Sequence, residues 1–193
     1  MIDLSTGQWV NEPATWSLAA DTVHLTTDAA TDFWRETHYG FVRDNGHFLG
    51  FTTGEAFTAE VRVQADYQSL YDQAGLMLRL DETRWVKASV EFNDGHHCFS
   101  VVVTDGRSDW SVTAVDGDAA DIRLRLTVKD GALRVQASTD GTTWPLLRLA
   151  PFPVAPSYQV GPMACTPERG GLEVAFSEFR LLPPTERDLH DLS

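Results

Sequence analysis

Hydrophobic and polar positions alternate with a period of two along most of this chain, the pattern of β-strands that bury one face. Phe57, Ala59, Val61 and Val63 point one way, and Thr58, Glu60, Arg62 and Gln64 the other. Ile122, Leu124, Leu126 and Val128 likewise oppose Arg123, Arg125, Thr127 and Lys129. Further strand-like runs are CFSVVVT (98–104), SVTAV (111–115), ALRVQAS (132–138), YQVGPMA (158–164) and LEVAFSEFRL (172–181). The last changes phase between Phe176 and Phe179, which predicts a bulge. Asn45-Gly46 and then Asp-Gly at Asp94, Asp105, Asp116, Asp130 and Asp140 supply the turn chemistry between runs. From Asp94 onward the spacing is about 10–14 residues, the rhythm of an antiparallel meander or sandwich. Helical patterning is confined to the charged tail Thr185–Leu192. Many short strands, frequent turns and almost no helix predict an all-β sandwich of two packed antiparallel sheets with at most a short C-terminal helix.

The segment QAGLMLRLDETRWVKASVEFND (73–94) reads as a β-hairpin. Ala74, Leu76, Leu78, Leu80, Val86, Ala88, Val90 and Phe92 form its oily face. Gln73, Gly75, Met77, Arg79, Trp85, Lys87, Ser89 and Glu91 form the other, a mixture of Trp, Met and long charged side chains closer to a binding surface than to an ordinary solvated face. Directly paired residues must share a face, so even-numbered positions pair with even-numbered ones and the loop has an odd length. A three-residue loop, Asp81–Thr83, sets Arg79 opposite Trp85, Met77 opposite Lys87 and Gln73 opposite Glu91. A five-residue loop, Asp81–Trp85, would set Arg79 against Lys87. Like charges directly opposite each other destabilise a sheet, which favours the shorter loop. Lys87 and Glu91 lie about 13 Å apart along one strand at the usual rise, so each needs a cross-strand partner or a ligand.

Composition narrows the setting. The 193 residues carry 42% hydrophobic side chains and no linker or repeat, which fits a single domain over 1–193. The formal charge is -13, from 28 acidic against 15 dispersed basic residues, which argues against nucleic acid and anionic membranes as partners. Cys98 and Cys165 sit in apolar runs and read as free thiols. The N-terminus has no secretory pattern and no apolar run reaches a membrane span, so the cytoplasm is the expected compartment.

Several separated motifs carry a resemblance. TDFWRETHYGF (31–41), DNGHF (44–48), YDQAGLMLRLDETRWVKASVEF (71–92), SVVVTDGRSDWS (100–111) and STDGTTW (138–144) together resemble the "regulation of enolase protein 1" family, over nearly the whole chain. The resemblance implies a concanavalin A-like lectin/glucanase fold, a jelly-roll sandwich with a concave sheet. The AGLMLRLDETRWVK and STDGTTW stretches are also similar to lectin-like modules appended to some xylosidases. No catalytic residues come with the resemblance, because the fold hosts lectins, hydrolases and structural modules alike.

The expected site is the polar hairpin face and its surroundings. Trp34, Tyr39, Trp85 and Trp110 would stack on a sugar ring, while Arg35, His38, Gln73, Arg79, Lys87 and Glu91 would fix its polar groups. Each has a structural alternative: an ion-pair network under loops for the hairpin face, a packed early strand for Trp34–Tyr39, and a core aromatic for Trp110. Glycoside hydrolysis needs two carboxyl groups at one site, and only Glu91 is placed on this face; the E-x-D-x-E pattern of laminarinase-type enzymes is missing. His96 and His97 are adjacent and point to opposite faces of a strand, which makes them poor joint ligands, and Asp116, Asp118 and Asp121 lack EF-hand spacing. Phosphate-binding and nucleophile-elbow motifs are also missing. The sequence thus points to non-catalytic binding of a carbohydrate or similar polar small molecule, with no metal and no cofactor. A protein-interaction module that regulates a metabolic enzyme, and a glycosidase, are the alternatives.

Overall fold

The computed structural model describes residues 2–193. Two seven-stranded antiparallel sheets face each other. In spatial order the first contains β1 (Gln8–Val10), β6 (His47–Thr53), β15 (Tyr158–Cys165), β8 (Gln73–Arg79), β9 (Arg84–Asn93), β10 (His96–Asp105) and β11 (Arg107–Ala114). The second contains β14 (Leu146–Pro151), β13 (Ala132–Ser138), β12 (Asp121–Lys129), β7 (Phe57–Ala65), β16 (Glu173–Leu182), β3 (Thr22–Thr26) and β2 (Thr15–Ala19). A separate two-stranded hairpin pairs β4 (Phe33–Arg35) with β5 (Val42–Asp44). Half of the neighbouring pairs in each sheet, such as β6–β15 and β7–β16, are far apart in sequence, as a jelly roll requires.

Strand periodicity decides what the sheets enclose. Ala74, Leu76 and Leu78 of β8 and Val86, Ala88 and Val90 of β9 pack with Val61, Val63, Leu124 and Leu126 of the second sheet in one large apolar core. The hairpin has the expected register: Gln73 opposes Glu91, Met77 opposes Lys87 and Arg79 opposes Trp85. The loop is Asp81–Thr83, closed by the Leu80 amide donating to the Arg84 carbonyl at 3.0 Å. Asp81 accepts from the Thr83 and Arg84 amides and pairs with the Arg84 guanidinium, which holds its carboxyl well below the usual range. Asp94-Gly95 and Asp130-Gly131 both have two successive positive φ angles, as a primed hairpin turn demands. The bulge in β16 lies where the phase changes, between Ser177 and Arg180, with Glu178 at φ 55°. Gly75 is needed for close approach: a Cβ there would stand 2.0 Å from the Ala88 carbonyl oxygen and 2.6 Å from the Ser89 Cα, both backbone atoms that cannot swing aside.

The C-terminal tail corrects one expectation. Thr185–Leu192 is not helical; it runs along the second sheet without regular structure to a turn at Leu189–His190. Its backbone is held from outside: Thr185 N donates to Thr58 Oγ1, Arg134 donates to the carbonyls of Arg187 and Asp188, and Leu192 O accepts from Trp144 N. Those tertiary bonds replace the local ladder a helix would have used. A short 3-10 turn at Leu4–Thr6, capped by Asp3, is the helical element that the pattern did not reveal.

The outward face of the second sheet is closed by its own charges. Glu60 accepts from Arg125 and Arg180, Arg62 pairs with Asp121, and the Arg125 guanidinium lies 3.9 Å from the Trp144 ring centroid. The outward face of the first sheet is different.

Candidate functional site

Side chains on the outward face of the first sheet form rows across β8, β9, β10 and β11. Ladder pairing gives Gln73–Glu91–Cys98, then Gly75–Ser89–Ser100, then Met77–Lys87–Val102–Trp110, then Arg79–Trp85–Thr104–Ser108. The β4–β5 hairpin lies over one end of these rows. Phe33 meets Trp85 edge to face at 6.1 Å, and with Phe48, Met77, Val102, Met163 and Cys165 they make a second apolar cluster outside the main core. Sequence dictates this layer: TDFW places Phe33 and Trp34 on a short strand, and the DNG turn supplies Asn45, which accepts from the Asp32 amide and donates to the Ala30 carbonyl. Gly46 is pressed on the Phe33 ring, where a Cβ would come within 2.4 Å of it.

The hairpin also brings two carboxylates down onto the sheet. Asp44 receives both terminal nitrogens of Arg79, at 2.7 and 2.8 Å, in a bidentate pair. Asp32 receives Lys87 Nζ at 2.9 Å and the Phe33 amide at 2.7 Å. Burial works against the Lys87 ammonium, but Asp32 outweighs it, with help from Cys165 and Glu91, and holds its pKa above the ordinary lysine value. Lys87 and Glu91 thus do not pair with each other, as their spacing required. In the last row, Thr104 and Ser108 share a hydroxyl bond at 2.9 Å, and Ser108 Oγ accepts from the Arg35 amide.

The rows beyond the hairpin's cover are left open, and a cavity of about 250 Å³ lies over them. Its lining includes Trp34, Tyr39, Gln73, Lys87, Glu91 and Trp110 of the expected site residues. Asp32, Phe41, Tyr71, Val102, Pro167 and Glu168 complete it. The other four expected residues stand elsewhere. Trp85 is wholly buried under Phe33, and Arg79 is committed to Asp44. Arg35 donates its Nε to the Gly106 carbonyl, and His38 sits exposed with its ring edge on Tyr39. The hairpin occupies the space that Trp85 and Arg79 would have offered to a ligand, while Arg35 and His38 belong to the hairpin and its connection.

The cavity floor is polar and incompletely satisfied. Ser100 Oγ donates to Glu91 Oε2 at 3.0 Å and accepts from Trp110 Nε1 at 3.0 Å, so the aromatic wall and the carboxylate are tied through one hydroxyl. Glu91 Oε1 and Gln73 Oε1, both in the lining, are buried without a partner among the described residues. Burial pushes the Glu91 carboxyl up, with Lys87 and Ser100 opposing the shift. At the rim Tyr39 and Tyr71 share a hydroxyl bond at 3.2 Å, which raises the Tyr71 phenol together with its burial. Tyr39 stacks on Phe41 and meets Trp34 edge on.

Asp32, Phe41 and Tyr71 were within reach of sequence reasoning, since each lies inside or beside a motif already singled out. Pro167 and Glu168 carried no such signal. Among the described residues no three His, Cys, Asp or Glu side chains group as metal ligands. Asp121 is instead paired with Arg62, and His97 Nε2 lies 3.2 Å from the Tyr67 carbonyl. Nor is any helix among them long and apolar enough to cross a membrane.

Comparison with known proteins fits this geometry to a family. Among solved structures, a functionally unknown protein from Saccharomyces cerevisiae superposes with a TM-score of 0.94 at 58% identity, covering 95% of this chain and all of that one. The GH43 BlXynB protein of Bacillus licheniformis matches 92% of this chain and 36% of its own, with a TM-score of 0.67 at 14% identity, a likeness of fold alone. In sequence, "Regulation of enolase protein 1" of Saccharomyces cerevisiae is 59% identical over 191 residues, 99% of this chain and 96% of that protein. Residues 9–184 match the model of the family described as "Protein of unknown function (DUF1349)". The chain therefore belongs to that family, as a jelly-roll β-sandwich related over almost its full length to the yeast regulation of enolase protein 1.

Proposed function

We propose that this protein binds a carbohydrate or similar polar small molecule, without transforming it, in the cavity between the first sheet and the β4–β5 hairpin. One observation carries the reading. Two buried polar atoms, Gln73 Oε1 and Glu91 Oε1, lack partners among the described residues in a cavity walled by Trp34, Tyr39, Phe41, Tyr71 and Trp110. Unsatisfied buried polar atoms are uncommon in folded proteins, and aromatic walls over hydrogen-bonding groups suit the apolar face and hydroxyls of a sugar. The volume lies just under the ~300–1,000 Å³ usual for drug-sized ligands, which favours a single ring. We place the protein in the cytoplasm, a reducing compartment that suits free Cys98 and Cys165.

A glycan array combined with a thermal-shift screen tests the binding. A monosaccharide or a terminal sugar should raise the melting temperature of the wild type, and Glu91→Ala and Trp110→Ala should abolish that rise. A screen without a binder would remove the proposal. Sugar release from an oligosaccharide, lost in Glu91→Ala, would replace it with hydrolysis, for which Asp32 supplies the second carboxylate in the lining.

The second reading is control of a metabolic enzyme, which the name of the yeast relative supports. Tyr39, Phe41 and Val42 are exposed at the cavity rim and offer an apolar contact next to the ligand site. Co-sedimentation with enolase should then be detectable and should weaken in Tyr39→Ser/Phe41→Ser. Independent sedimentation at every concentration tried would exclude this reading.

A further inference from the structure

The cavity floor presents acceptors to which nothing donates. Gln73 is oriented by its own backbone neighbour: Nε2 donates to the Tyr71 carbonyl at 3.1 Å, which leaves Oε1 as the buried, unpartnered atom. Directly across the ladder, Glu91 is 2% exposed, receives Ser100 on Oε2 and has no partner on Oε1. A buried carboxylate oxygen without a donor is costly, and the cost is removed by whatever brings a donor to it. A ligand with hydrogen-bond donors aimed at these two oxygens is therefore favoured over one with acceptors.

Charge sharpens the choice of donor. The lining holds three acidic residues, Asp32, Glu91 and Glu168, against one basic residue, Lys87. Lys87 is already neutralised by Asp32 at 2.9 Å, so no cation in the lining is left to receive a carboxylate or phosphate. Five aromatic side chains share the lining. Aromatic faces attract ammonium groups, most strongly where water is excluded, and a nearby carboxylate adds to that attraction.

We propose that the cavity takes an amino sugar, a single ring whose ammonium donates to Glu91 Oε1 and Gln73 Oε1 beside the aromatic wall. This rests on the small-molecule reading above and specifies its ligand class. The ring fits the volume, its apolar face meets the aromatic side chains, and its positive charge offsets the buried carboxylate. Because an ammonium favours ionised Glu91, binding releases a proton wherever Glu91 is protonated in the free protein. Affinity then rises as pH is raised through the elevated Glu91 range, up to the point where the ligand's own amine loses its proton.

Calorimetry and ligand-observed NMR on the full chain with D-glucosamine, D-glucose, D-glucuronate and propylamine decide the matter. D-Glucosamine should bind at least about tenfold more tightly than D-glucose, the factor that one charge-assisted hydrogen bond supplies. D-Glucuronate should not bind. Glu91→Gln should remove the preference, and Gln73→Leu should reduce it. The wild-type pH profile tests the same point should either variant fail to fold: D-glucosamine affinity rises with pH and D-glucose affinity stays flat. Equal binding of D-glucosamine and D-glucose, or tighter binding of D-glucuronate, overturns the ammonium site and leaves sugar binding intact. Propylamine binding as tightly as D-glucosamine, with no D-glucose binding, would keep the ammonium site and overturn the sugar. No binding by any of the four overturns the amino-sugar site, and the glycan array alone then decides the sugar reading.

Discussion

Asp32→Ala is expected to lower the stability of the folded protein by about 3–5 kcal/mol at pH 7, the usual cost of removing one member of a buried ion pair. Asp32 is the carboxylate bonded to Lys87, whose side chain is 3% exposed and has no other hydrogen-bonded acid. Glu91 acts on Lys87 only at longer range. The cost has a ceiling, because an unpaired ammonium can shed its proton: neutralising a lysine at pH 7 takes roughly 4–5 kcal/mol from its ordinary pKa. That ceiling fixes how the loss depends on pH. In the wild type the folded-state pKa of Lys87 is raised, so its stabilising contribution is fully present below the unfolded lysine value and disappears only as pH rises through the folded value. In Asp32→Ala, burial is no longer outweighed and the folded pKa falls below the unfolded one. The folded state then binds fewer protons than the unfolded state, and stability rises with pH between the two values. Urea denaturation should accordingly show a large deficit at pH 7 that shrinks towards pH 9–10. Adding Lys87→Met should restore most of the loss at pH 7, since a buried ion pair replaced by apolar side chains is often neutral. A deficit that grows with pH, or a double variant as unstable as Asp32→Ala, would show that Lys87 does not depend on Asp32.

That pair also marks where the sequence stops being informative. Parity restricts the β8–β9 loop to an odd length and the like-charge rule selects the register, while phase alone marks the β16 bulge; all are local consequences of a two-residue period and of charge along one hairpin. The same period showed that Lys87 needed a partner from another strand but not which one, since Asp32 lies 55 positions away. It also divides a strand into only two faces and has no way to represent a third layer. All seven residues of β8 are buried, the odd ones beneath the β4–β5 hairpin or at the base of the cavity. Met77 and Trp85 on that face are the visible sign of the cover, although the same period lets Trp85 read as a stacking contact. Trp34 and Tyr39 line the same cavity as the hairpin face, and the crowding of aromatic, hydrogen-bonding side chains into one short segment is the sequence signal for it. The pairing of Gln73 with Glu91 is legible because parity and the like-charge rule together set the loop length. The unpaired oxygens are not, since they depend on where Ser100 and Tyr71 place their own bonds. The C-terminal tail failed for the same kind of reason: its carbonyls are taken by Arg134 and Trp144, residues far from it in sequence.

Phe33→Ala should release the hairpin that makes the cavity. Phe33 is fully buried and is the main apolar anchor between β4 and the sheet, in edge contact with Trp85 and packed with Phe48 and Met77. Truncating a buried Phe costs about 3–5 kcal/mol, and here the loss falls first on docking of the hairpin, because the main core between the sheets does not include Phe33. Local opening then becomes cheaper than global unfolding. Hydrogen exchange should show the amides of Phe33–Arg35 and Val42–Asp44 losing protection by at least about a hundredfold, equivalent to roughly 3 kcal/mol. Amides of β8 and β12 should lose much less. Asp32, Trp34 and Tyr39 leave the cavity with the hairpin, so any ligand found for the wild type should bind weakly or not at all. Phe33→Leu keeps most of the buried volume and should retain both protection and binding. Equal loss of protection in hairpin and core amides would mean that the hairpin is part of one cooperative unit with the sandwich. Unchanged ligand binding in Phe33→Ala would mean that the sheet face alone, without its covering strands, forms the site.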